Sequence, residues 1–85
     1  MSKTIPSPPP PADVTLDITG EICPMTFVRT RLALDRMAPG QTLLVRLLGE
    51  EPRRNVPASA AALGHAVLAE QQAADGVTLL WVRRA

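Results

Sequence analysis

Proline and glycine punctuate this chain so regularly that only short elements fit between them. Pro24 is placed to open a helix, because proline lacks the N–H that would go unpaired at a first helical position. Pro39-Gly40 ends that helix, Gly64 suits the left-handed residue that stops a second one, and Asp75-Gly76 signals a tight hairpin. Val14 to Ile18 alternates apolar and polar residues and predicts a strand. Thr19 to Ile22 predicts a loop. In the helix that Cys23-Pro24 opens, Phe27, Thr30, Leu34, Met37 and Ala38 fall near one face, with Val28 and Leu32 on its flank. Thr42 to Leu48 predicts the second strand, and Gly49 to Arg54 a loop. Asn55 is a good cap for a second helix, with Pro57 in its first turn and Ala58 to Leu63 continuing it. Ala66 to Gln72 and Val77 to Val82 complete the pattern as a hairpin of two strands.

The order is therefore βαβαββ, an α/β (α+β) two-layer sandwich. Two right-handed crossovers followed by a hairpin imply a four-stranded mixed sheet with both helices on one face. The other face stays partly open, and Leu44, Leu48 and Trp81 are candidates to line it. At 85 residues the chain holds one domain, expected over 13–85. Residues 1–12 include Ile5-Pro6-Ser7-Pro8-Pro9-Pro10-Pro11-Ala12, a run that favours extended polyproline geometry and predicts a disordered leader.

Composition removes several function classes. Aromatic residues are 2% of the chain, Phe27 and Trp81 alone, which is too few for the stacking platforms that hold single-stranded nucleic acid. The net charge of +1 provides no bulk attraction for nucleic acid or for an anionic membrane. Arginines nevertheless concentrate at 29, 31, 36, 46, 53 and 54, so a local basic surface is possible. No apolar run approaches the roughly 20 residues of a membrane span. One cysteine makes no internal disulfide, and without a signal-like segment near Met1 the expected compartment is the cytoplasm. One cysteine and one histidine are too few for a structural zinc site, and no metal or organic cofactor is implied.

Cys23 is the residue that carries chemistry. A lone cysteine is often just a small buried hydrophobe. Here it stands at a helix start, where unpaired N–H groups and the helix dipole favour an anion and lower a thiol's pKa. Cysteine is a poor cap compared with Ser, Thr, Asp or Asn, so stability alone does not explain it. Pro24, Met25 and Thr26 form the first turn, which carries no acid. Arg29 and Arg31 lie within two turns and favour a negative sulfur. The crossover rule places both helix starts at one end of the domain, bringing Arg53 and Arg54 towards Cys23 as possible contacts for an anion or an acidic partner. His65 falls at the opposite end and reads as packing. Glu21 is the nearest acid in sequence and has no catalytic part. With no base beside it, Cys23 is suited to accept and pass on sulfur as a thiolate, which requires access and a low pKa.

Leu16-Asp17-Ile18-Thr19-Gly20-Glu21-Ile22-Cys23-Pro24 resembles the L-D-x-x-G-x-x-C-P-x-P signature of the TusA/SirA family of small sulfur-carrier proteins. The resemblance extends over residues 14–84, through Pro39-Gly40-Gln41-Thr42-Leu43, Glu51-Pro52, Asn55-Val56-Pro57 and Gly64-His65. It implies a sulfurtransferase-like carrier in which Cys23 holds persulfide sulfur. It also implies a protein donor of the cysteine desulfurase or rhodanese type and a protein acceptor. Thr26 stands where the motif has its second proline, which keeps an N–H available and adds a hydroxyl. Two other readings stand beside the carrier: a non-catalytic interaction module with a structural Cys23, and a redox sensor that oxidises Cys23.

Overall fold

The structure is a computed structural model that describes residues 11–22 and 25–85. Its elements are β1 (Val14–Asp17), α1 (Met25–Asp35), β2 (Thr42–Leu48), α2 (Glu50–Ala62), β3 (Ala66–Gln72) and β4 (Val77–Arg83). They form a four-stranded mixed sheet in the order β1-β2-β4-β3 with two helices, the expected α+β architecture. β1 runs parallel to β2, while β4 is antiparallel to both β2 and β3. β2 and β3 are thus parallel to each other with β4 inserted between them. Most of the expected leader, residues 1–10, lies outside the described residues, and so do Cys23 and Pro24.

Strand register sorts the side chains. Leu43 faces Val82, Val45 faces Leu80 and Leu47 faces Thr78, all on the helix side and all buried. Ile18, Leu34, Met37, Val56 and Ala60 close this core from the loop and the helices, with Leu16 and Ala33 packed at its edge. The opposite face carries Leu44 beside Trp81 and Leu48 beside Val77, as the alternation predicts.

The first helix differs from expectation at its end and in part of its inward face, which keeps Thr30, Leu34 and Met37 but adds Thr26 and loses Ala38. It stops at Asp35, before Pro39-Gly40, and Met37 N–H donates to Leu34 C=O across the following turn. Its buried side is Thr26, Thr30 and Leu34, continued by Met37. Phe27 is half-buried at the margin, while Val28, Leu32 and Ala38 are exposed. Two threonines can face a core because Thr30 Oγ1 donates to Thr26 C=O at 2.8 Å, satisfying its own hydroxyl within the helix. No basic residue sits in the helix's last turn. Arg84, from the end of β4, donates its Nε–H to Leu34 C=O at 2.7 Å and meets that need from 50 residues away.

The second helix corrects a boundary. Gly49 to Arg54 is not a loop, since α2 already begins at Glu50 and Asn55 lies inside it, exposed. Gly49 is the cap, with φ 101°, a backbone that side-chain-bearing residues rarely adopt. It lets β2 turn directly into the helix. Glu50 and Glu51 then complement the dipole, and Pro52 still falls in the first turn, where its missing N–H costs nothing. Pro57, expected in the first turn, sits within the helix, so Arg53 C=O lacks the N–H that residue 57 would otherwise donate. The hairpin is as expected, with Asp75 and Gly76 both at positive φ and Ala73 N–H donating to Val77 C=O at 2.8 Å.

Candidate functional site

The carboxyl ends of the parallel strands β1 and β2 meet the starts of α1 and α2 at one end of the sheet. This is the convergence that the crossover rule requires. Cys23 and Pro24 occupy the step into α1, and their expected roles lie outside the described residues. The frame around that step is well defined.

Asp17 ends β1 and turns the chain. Its Oδ1 accepts the Thr19 N–H at 3.0 Å and the Thr19 hydroxyl at 2.7 Å. Its other oxygen lies 3.5 Å from Arg46 Nε on the neighbouring strand. The Thr19 hydroxyl, then the Thr19 N–H, and less so Arg46, hold the Asp17 carboxyl below its ordinary value. The aspartate of the L-D-x-x-G run is therefore a turn-former, as its exposed position indicates. Glu21 N–H then donates to Ile18 C=O at 3.1 Å, and Met25 N–H to Ile22 C=O at 2.7 Å, so both sides of the Cys23-Pro24 step are tied into turns.

Glu21 has a structural part that sequence reasoning missed. Its Oε2 accepts from Arg29 Nη1 at 2.8 Å, bracing the loop before Cys23 against the second turn of the helix after it. The signal was the eight-residue spacing of an acid and a base across a loop–helix junction, which only the fold makes a contact. Arg29, expected beside the sulfur as a contact for an anion, is thus paired with a carboxylate. Arg31 is 4.0 Å from Asp35 along α1. Arg53 is held by Glu50 at 3.8 Å and by Glu70 at 3.7 Å. Glu70 is on β3, the edge strand farthest from β1, so Arg53 leans away from the α1 start. Arg54 is exposed and makes no ion pair among the described residues. Thr26, in place of the motif's second proline, is buried with its carbonyl engaged by Thr30, so this substitution faces the core. His65 lies at the far end, where its Nδ1 accepts the Ala85 N–H at 3.1 Å.

What the outer surface offers is apolar. Ile22 is 79% exposed, and Met25, Val28 and Leu32 continue from it along the outward side of α1. Positions 25, 28 and 32 recur at helical spacing, so they form one stripe starting beside Cys23. Among the described residues no three His, Cys, Asp or Glu side chains converge as metal ligands, and no cavity opens. No helix of the described residues is long and apolar enough to cross a membrane.

Comparison with known proteins agrees with this geometry. The family model described as Sulfurtransferase TusA matches residues 14–84, which is every element of the fold. A relative in Archaeoglobus fulgidus is 39% identical over 75 residues, covering 88% of this chain and 85% of its own. The sulfur carrier protein TusA of Pseudomonas paraeruginosa is 36% identical over 74 residues, 87% of this chain and 92% of that protein. Among solved structures, a SirA-like protein from Desulfitobacterium hafniense superposes with a TM-score of 0.73 at 22% identity, over 82% of this chain and 95% of that one.

Proposed function

Because the chain belongs to the TusA family of sulfurtransferases, we propose that it is a sulfur carrier whose working group is the Cys23 thiolate. One observation carries the reading: the family match spans the whole fold, and within it this chain has a single cysteine, at the motif position. The Cys23 sulfur attacks the terminal sulfur of a persulfide on a donor protein, and the donor's thiolate leaves. Cys23 then carries S–SH. An acceptor thiolate attacks the terminal sulfur of that group, and the Cys23 thiolate leaves. One sulfane sulfur moves at each step, so no external oxidant or reductant is required.

The donor is of the cysteine desulfurase or rhodanese type, the acceptor is a second protein, and the exchange belongs in the reducing cytoplasm. The exposed stripe of Ile22, Met25, Val28 and Leu32 supports protein partners, since it sets an apolar docking surface beside the cysteine. Arg54, exposed in the second turn of α2, adds positive charge for an acidic partner. Pro24, Met25 and Thr26 serve by building the helix start, whose dipole stabilises the anionic sulfur.

The test is mass spectrometry of the full-length protein after incubation with a cysteine desulfurase and free cysteine. The expected result is a gain of one sulfur atom on the Cys23 peptide, absent in Cys23→Ser. A protein that gains no sulfur from desulfurase or rhodanese donors, while its thiol still alkylates when folded, is not a carrier.

A further inference from the structure

The chain has three methionines, and the fold treats Met25 and Met37 in opposite ways. Met37 is 6% exposed and belongs to the core. Met25 is 43% exposed in the first turn of α1, and its N–H donates to Ile22 C=O at 2.7 Å. It stands within the apolar stripe, three residues from exposed Ile22 on one side and from Val28 on the other. Ile22, Val28 and Leu32 end in hydrocarbon, so Met25 is the one member of the stripe that a mild oxidant changes. Arg29 is its i+4 neighbour on the helix surface. Among the described residues that guanidinium engages Glu21 through Nη1, which leaves N–H donors for a further oxygen.

We propose that Met25 is a reversible oxidation site that closes the apolar stripe to sulfur donors and acceptors, an inference that rests on the sulfur-carrier reading. The Met25 Sδ attacks one oxygen of hydrogen peroxide, the O–O bond breaks, and the other oxygen leaves as water with the proton shed by the first. Sulfur loses two electrons and the peroxide gains them, so the reaction balances with the peroxide as its oxidant. The product is a polar sulfoxide where a thioether stood. Its oxygen accepts from the N–H groups of Arg29 that Glu21 does not use, and this draws the guanidinium across the stripe. A partner then meets a dipole and a cation in place of hydrocarbon, and docking must strip water from both. A methionine sulfoxide reductase returns the thioether and reopens the stripe. Met37 is spared by its burial.

The test uses the full-length protein with Cys23 capped as a mixed disulfide, so that hydrogen peroxide acts on the thioethers. Peptide mass mapping is expected to show one added oxygen on Met25 severalfold faster than on Met37 while the protein is folded, and equal rates in urea. Dithiothreitol then frees Cys23 and leaves the sulfoxide in place, and sulfur loading by a cysteine desulfurase with free cysteine is timed. The oxidised protein is expected to load severalfold more slowly than the untreated protein and to regain its rate after a methionine sulfoxide reductase. Peroxide-treated and untreated Met25→Leu, compared only with each other, are expected to load at one rate. Equal oxidation of Met25 and Met37 in the folded protein would overturn the proposal. So would a loading rate that full oxidation of Met25 leaves unchanged, or a slowing that Met25→Leu shows as well. Untreated protein that takes up no sulfur is a different result: it removes the carrier reading itself, and the oxidation gate with it.

Discussion

The two helices start at the same end of the sheet, yet they treat their exposed amino termini in opposite ways. α2 follows a glycine cap and fills its first turn with Glu50 and Glu51, so its own carboxylates neutralise the positive end of its dipole. α1 has no acid in its first turn. The nearest one, Glu21, is occupied by Arg29 at 2.8 Å. The positive end of α1 is thus left for another anion, and the chain places its one cysteine there. Their outer surfaces differ in the same sense. α2 carries small and charged residues outward, whereas α1 presents Met25, Val28 and Leu32. One helix is finished as structure and the other is left incomplete at both its dipole and its surface, the condition that the proposed transfer site against a protein partner calls for.

The largest effects should come from the core that holds both helices to the sheet. Leu34 on α1 and Val56 on α2 are both fully buried. Leu34→Ala is expected to cost about 2–5 kcal/mol in urea unfolding, and Val56→Ala less, because it removes less volume. A larger loss from Val56→Ala would mean that α2, and not α1, is the better-packed helix.

A swap of first-turn charge tests the difference directly. Met25→Glu puts on α1 what α2 already has. It is expected to slow alkylation of Cys23 at neutral pH by about 2–5-fold, the equivalent of 0.3–1 kcal/mol at a helix terminus. Glu50→Gln with Glu51→Gln removes the acids from α2 and is expected to lower stability by about 0.5–2 kcal/mol in total, leaving alkylation unchanged. Equal alkylation rates in Met25→Glu and the unsubstituted protein would show that the α1 dipole does not act on the sulfur.

The smallest effect belongs to the turn that delivers the chain to α1. The folded Asp17 carboxyl is held below its usual 3.8, chiefly by the Thr19 hydroxyl. Its contribution to stability is therefore complete above pH 3.8 and is lost as the pH falls through the lower folded value. Asp17→Asn is expected to flatten the acid side of the stability curve below that pH, with little change at neutral pH. An unaltered acid limb would remove the turn from the account.

Much of this was legible before any coordinates. β2 and β3 were readable to the residue, because runs of Leu, Val and Ala bounded by glycine leave little choice. The meeting of the two helix starts followed from the handedness of crossovers. The start of α2 was misread because Asn55-Val56-Pro57 carries as good a start signal as Gly49-Glu50-Glu51-Pro52, and local propensity does not choose between them. The inward side of α1 was legible through Thr30, Leu34 and Met37, but Thr26 was missed because a hydrophobic pattern discounts a threonine, and Phe27 and Ala38 are less buried than the pattern implies. The arginines of the candidate site were identified by type but not by pairing. Arg29 meets Glu21, and Arg53 meets Glu50 and Glu70, through placements that depend on the fold.

By itself, then, the sequence determined the order of elements and the two-layer architecture, and it singled out Cys23, the one thiol, as the residue proposed to carry sulfur. Those properties rest on period, turn chemistry and the presence of a single thiol, all written within a few neighbouring residues. Tertiary structure alone decided that Thr26 joins the buried side of α1, which arginines are already neutralised and how Arg84 comes to cap a helix from 50 residues away. Each of those depends on a contact between distant segments, and such a contact has no energy until the chain has folded.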